Sequence, residues 1–292
     1  MEGYRVNWVR VERVAEVLGR LGLEGVLKVE ERVDPQFDYV ARVARRVGVG
    51  AAALSALLVG LASYRLAMRA EDWWGCFASL IPSLVESEGG GIEGVYRGVL
   101  RFLVECKGSV IGREGKVKRV RRAWAGARSF LENLYREPSI VFTGALELAE
   151  ALRRALGEKD LSKTVVFSVK MAYYAARAWY GRRPLPRGIP MPVDVRVACT
   201  TYSSGMVDGP GYRGLVSKPR PAREAWGRVA ELTGIPELHL DTIAWLAGWA
   251  PRDLPLERAR AEVAALLADA TGSKLALEIA RELCTRPCIE AR

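Results

Sequence analysis

Apolar residues in this chain recur at helical spacing almost from end to end, and no stretch alternates as a half-buried strand does. That periodicity restricts the fold to packed helices. Residues 14–27, 37–46, 51–67, 73–85 and 95–105 each read as helix, punctuated by Gly, Pro or charged breaks. Residues 116–135 carry a basic face followed by an apolar one. Residues 145–156 and 161–180 form two consecutive helices joined by Gly157-Glu158-Lys159-Asp160. Residues 182–192 are Pro-rich and read as an extended link, because each Pro disfavours helix at the residue before it. Asp194 opens the next helix, 203–221 is a Gly- and Pro-rich loop, and 222–233, 239–249 and 256–284 complete the set as helices. The expectation is an all-α chain, one helical domain over 1–292 folded as two lobes, with no internal repeat.

Half of the 292 residues are apolar and the mean hydropathy is +0.02, which describes a soluble folded protein rather than a disordered one. The segment 47–63, VGVGAAALSALLVGLAS, is the one stretch that suggests a membrane span. It is shorter than the roughly 20 apolar residues a bilayer needs, and Arg45, Arg46 and Arg65 bracket it tightly, so a buried core helix is expected. The charged, interrupted stretch 1–13 does not read as a secretory signal, and an intracellular, cytoplasmic protein is expected. Cys76, Cys106, Cys199, Cys284 and Cys288 are odd in number and irregularly spaced. With His239 the lone histidine, a closed zinc or iron–sulfur set is hard to build from them. Reduced, structural cysteines are the expectation, with a Cys284–Cys288 disulfide as the alternative. One Gln and two Asn beside abundant charge fit a thermophile, and GC-rich coding would produce the same bias.

The net charge is +10 and the isoelectric point about 9.6. Arg supplies most of the cations, and its planar fork suits phosphate. Charge of this sign and kind points to a nucleic acid or another polyanion.

Three segments carry candidate chemistry. In LGEKDLSKTVVFSVKMAYYAARA (156–178), a tight hairpin precedes a helix that Asp160 or Ser162 would cap. Backbone N–H groups at such a hairpin and helix start face an anion, as in many DNA phosphate clamps. Lys163 sits in the first turn of that helix, where the dipole opposes a cation, and Lys170 returns to nearly the same face two turns on. Two cations on one apolar face favour a neutral, nucleophilic amine. The alternative is a pair of surface lysines on an amphipathic helix. In IPMPVDVRVACTT (189–201), a rigid Pro link delivers Asp194 to a helix N-terminus, which keeps it ionised beside any developing oxocarbenium. A plain N-cap would look the same. In LHLDTIAWLAGW (238–249), Asp241 and Trp245 share a helix face, so that the carboxylate could accept from the N–H groups of a flipped purine while the indole stacks on it. A capping Asp and a buried Trp are the alternative, and His239 reads as structural.

Together these segments resemble the archaeal 8-oxoguanine DNA glycosylase family, AGOG, a branch of the helix-hairpin-helix glycosylases. The strings KTVVFSVK (163–170), IPMPVDVRV (189–197) and GIPELHLDTIAWLAG (234–248) look like its signature blocks in order, and DPQFDYV (34–40) and, more loosely, AEDWWGCF (70–77) match as well. The resemblance covers residues 15–250. It implies a helix-hairpin-helix DNA glycosylase-like fold, with two helical lobes around a base-binding cleft and the helix-hairpin-helix element at about 145–180. It implies that Lys163 is the Schiff-base nucleophile and Asp194 the catalytic aspartate, with Gln36, Trp74, Lys170, Asp241 and Trp245 around the extruded base. Trp73 adjoins Trp74, so that assignment is open to a slip of one. The Gly-rich loop 203–221 and the tail beyond Pro251 depart from the family pattern.

The expected activity is excision of 8-oxoguanine by a bifunctional N-glycosylase and abasic-site lyase, with no metal and no organic cofactor. The expected partner is double- or single-stranded DNA containing oxidised guanine, bound by a monomer. Lys116, Lys118, Arg119, Arg121, Arg122, Gly157 and Lys159 are expected on the DNA backbone. Three rivals stand: a non-catalytic helix-hairpin-helix DNA-binding module, a glycosylase for another damaged base, and a structural helical protein with a membrane-facing 47–63 segment.

Overall fold

The computed structural model describes residues 3–288. Its helices are, in chain order, α1 (Trp8–Arg32), α2 (Pro35–Val47), α3 (Val49–Leu61), α4 (Ala70–Ser87), α5 (Gly91–Glu105), α6 (Arg113–Gly126), α7 (Arg128–Arg136), α8 (Val141–Leu156) and α9 (Lys163–Tyr180). Then come α10 (Val195–Ser203), α11 (Arg213–Ser217), α12 (Arg220–Thr233), α13 (Glu237–Ala247), α14 (Ala250–Asp253), α15 (Leu256–Thr271) and α16 (Ser273–Leu283). The all-α expectation holds. The sole extended pairing among the described residues is a two-residue antiparallel ribbon, β1 (Arg5–Val6) with β2 (Val207–Asp208).

The chain divides into two compact units, one built from residues 1–34 and 187–292, the other from 35–186. In the continuous unit, α3 is the core. Every residue from Ala51 to Leu61 is buried, and its main neighbour is α9. A Cβ on Gly60 would lie 2.7 Å from the Ser168 Cα, so the two backbones meet where only glycine fits. The apolar run 47–63 thus centres on a core helix. The 13 residues of α3 span about 20 Å at 1.5 Å per residue, and no helix of the described residues is long and apolar enough to cross a membrane. In the discontinuous unit, α1 packs against α12, α13, α15 and α16.

Several boundaries differ from the sequence reading. The basic-then-apolar stretch is two helices, broken at Ala127, and 256–284 is likewise two, broken at Gly272 with φ +82°. The 203–221 loop contains β2 and α11. The cysteines are also corrected. Cys76 pairs with Cys106 and Cys199 with Cys288, with Cα–Cα distances of 6.5 and 5.7 Å, while Cys284 is a free, buried thiol. The partners are 30 and 89 residues apart in the chain, so no local spacing announces them.

Candidate active site

In the continuous unit, α8 ends at Gly157 in the left-handed conformation (φ +66°), which turns the chain sharply. The hairpin that follows is braced from both sides. Arg153 donates to the Glu158 carbonyl at 2.7 Å, and from α6 Arg122 donates to the Leu156 carbonyl at 2.6 Å. Arg119 pairs with the Glu158 carboxylate at 2.7 Å and donates to the Thr164 hydroxyl at 2.8 Å. Ser162 occupies the N-cap position of α9 but makes no capping hydrogen bond; Arg119 reaches its hydroxyl instead.

These contacts revise the expected DNA-backbone set. Lys116 is fully buried: its ammonium donates to the carbonyls of Arg65 and Ser109 and lies over the Tyr64 and Trp73 rings. Burial, and secondarily the Arg113 charge, holds its pKa below the usual lysine value. The correction has a physical cause, because the same helix turn that exposes Lys118 and Arg121 rotates Lys116 inward. Arg119 is mostly spent on the hairpin. Lys118, Arg121, Arg122, Gly157 and Lys159 are exposed.

Lys163 is the first residue of α9 and half-buried, with no hydrogen bond or ion pair to its ammonium among the described residues. Lys170 is buried, its ammonium 5.6 Å from the Tyr174 ring centre, so it is not a surface lysine. Between them Phe167 meets Trp74 edge-on at 5.9 Å. Trp73 instead donates its indole N–H to Ser63 and packs on Phe102. Trp74, rather than its neighbour, therefore lies against the Lys163–Lys170 face of α9. Gln36 is buried in the first turn of α2.

In the other unit, Asp194 caps α10, one carboxylate oxygen accepting from the N–H groups of Arg196 and Val197 at 2.9 Å each. The Arg196 guanidinium stacks over the Trp245 ring at 4.1 Å, a contact the sequence reading missed although it sits inside the IPMPVDVRV block. Asp241 is buried in the middle of α13, which begins at Glu237 after Pro236. The capping alternative for it is therefore discarded. The Thr200 hydroxyl donates to the Ala244 carbonyl at 2.7 Å, and Gly248 lets the chain pass against the Arg196 carbonyl. His239 is buried, with Nδ1 2.8 Å from Glu30.

A family model described as AGOG, N-glycosylase/DNA lyase, matches residues 15–282. The chain belongs to this family. An N-glycosylase/DNA lyase of Aeropyrum pernix is 54% identical over 285 residues, covering 97% of this chain and 98% of its own. One from Pyrobaculum aerophilum is 36% identical over 240 residues, covering 82% and 86%. The solved structure of the Pyrobaculum aerophilum 8-oxoguanine DNA glycosylase complexed with 8-oxoguanosine superposes with a TM-score of 0.70 at 29% identity, over 91% of this AGOG chain and 97% of that one.

Proposed function

We propose that this AGOG member excises 8-oxoguanine from DNA and cleaves the strand at the resulting abasic site, with Lys163 as nucleophile. The observation that carries the reading is half-buried Lys163 at the start of α9, its ammonium without a hydrogen bond or ion pair among the described residues, on the face shared with Lys170 and Trp74. The Pyrobaculum protein's complex with 8-oxoguanosine supports the lesion.

The damaged nucleotide leaves the stack at a cost of roughly a few kcal/mol. The amine of Lys163 attacks C1′ as the C1′–N9 bond breaks, and the purine departs with a proton. Asp194, oriented by two backbone N–H groups, stabilises the positive charge that develops on the sugar. Opening of the sugar ring converts the adduct to an imine. Loss of the C2′ proton then expels the 3′ phosphate, which nicks the strand, and water releases Lys163. Gln36, Lys170 and Asp241 are assigned to hydrogen bonds with the extruded base, and Trp74 and Trp245 to its faces. The exposed Lys118, Arg121, Arg122 and Lys159 and the backbone at Gly157 are assigned to phosphates. The acting species is proposed to be an intracellular monomer, on double- or single-stranded DNA.

Borohydride added to protein and an oligonucleotide carrying one 8-oxoguanine is expected to trap an adduct on Lys163. Lys163→Gln is expected to lose both trapping and excision. Salt-sensitive binding with no adduct from the wild type would favour the binding-module reading, and an adduct with a different lesion alone would reassign the substrate.

A further inference from the structure

Glu30 lies in the last turn of α1, fully buried, and the mechanism above does not use it. Its Oε1 stands 2.8 Å from His239 Nδ1 and accepts from the Thr242 hydroxyl at 3.2 Å. His239 is also fully buried, and both partners belong to α13. A carboxylate taken out of water is costly unless it is well partnered, and a packed apolar group of the same volume often stabilises as much. The arrangement therefore serves geometry better than stability.

The geometry concerned is the rotation of α13 about its own axis. At 100° per residue, the His239–Thr242 pair lies about 110° around the helix from the Asp241–Trp245 pair. Glu30 grips one face. On another, Thr200 bonds the Ala244 carbonyl, Gly248 admits Arg196, and the Arg196 guanidinium covers Trp245. Side-chain tips stand about 6 Å from a helix axis, so a 20° rotation would carry the Asp241 carboxylate about 2 Å, enough to break a hydrogen bond.

Resting on the proposed glycosylase function, we infer that Glu30 is a positioning residue for base recognition: through His239 and Thr242 it sets the rotation of α13 and hence the placement of Asp241 and Trp245 against the purine. Abasic DNA has no base to read, so strand cleavage at a preformed abasic site does not need this device. It supplies the control that a general structural role would fail.

The test compares Glu30→Gln with the wild type in excision of 8-oxoguanine, in cleavage of a preformed abasic site, and in thermal melting. The expected result is a loss of tenfold or more in kcat/KM for excision, with abasic-site cleavage within twofold. Equal loss of both activities, or loss of neither, overturns the inference. Should Glu30→Gln show no cooperative melt, Thr242→Val carries the test, because it removes one hydrogen bond and leaves the Glu30–His239 contact. It is expected to lower excision several-fold with abasic cleavage unchanged, and unchanged excision overturns the inference. A wild type that excises no 8-oxoguanine would instead sink the proposed function, so the two failures are distinguishable.

Discussion

Asp194 caps α10, and the proposed reaction gives it a second task; the two can be separated. Its carboxylate caps α10 and is also the anion assigned to the sugar cation. Asn caps a helix nearly as well as Asp, so Asp194→Asn removes the charge and keeps the cap. Excision is expected to fall about 10²–10³-fold, in line with the removal of one preorganised electrostatic group, with little change in melting temperature. Single-turnover excision beside a melt checks both halves. Cys284 offers a pH prediction. Burial pushes its thiol up to about 12 from an ordinary 9.0. The folded state then holds the proton longer than the unfolded chain, so this group's contribution to stability is complete below pH 9 and is lost as pH rises towards 12. Cys284→Ala is expected to flatten the fall in stability over that window, as read by denaturant melts at stepped pH.

At the scale of elements, two features fix the face of α9 that carries Lys163 and Lys170. The first is the hairpin brace from α6, in which Arg119 and Arg122 hold residues 156–164. The second is the close approach of α3 at Gly60. Ala in place of Gly in a helix interior ordinarily gains about 0.5–1 kcal/mol. Here the new Cβ would press on the Ser168 backbone, and overpacking of this kind costs about 1–3 kcal/mol. Gly60→Ala is therefore expected to lower the melting temperature despite its better propensity, and an unchanged or raised value would show that α3 and α9 separate without cost.

Across the whole molecule, each compact unit carries one disulfide: Cys76–Cys106 in the continuous unit and Cys199–Cys288 in the discontinuous one. Removing a cross-link that closes a long loop typically costs about 2–4 kcal/mol. Cys199→Ser is expected to lower the melting temperature, and reductant is expected to lower that of the wild type. A melt indifferent to reductant would return the cysteines to the reduced state read from the sequence. The 89-residue span of the second bridge ties α10, which Asp194 opens, to the tail beyond Pro251, which the family model matches as far as residue 282, against the departure read from the sequence.

Helical periodicity and the signature blocks were enough to determine the all-α class, the core character of 47–63, the two helices either side of the turn after Leu156, and the family. These are properties of spacing along one chain, and spacing is what a sequence records. Asp194 at a helix start was equally legible, because a Pro link followed by an apolar period places an N-cap without reference to any other element. Tertiary structure alone decided the direction of each side chain around its helix. Lys116 and Lys118 are two residues apart on one basic helix, yet one is buried under Tyr64 and Trp73 and the other meets solvent. Trp73 and Trp74 divide likewise between core and α9 face. The disulfide partners, the Arg196–Trp245 stack and the Glu30–His239 contact join residues from 30 to 209 positions apart. Such pairings exist only once helices have packed, because burial energy depends on which faces meet and not on their order in the chain.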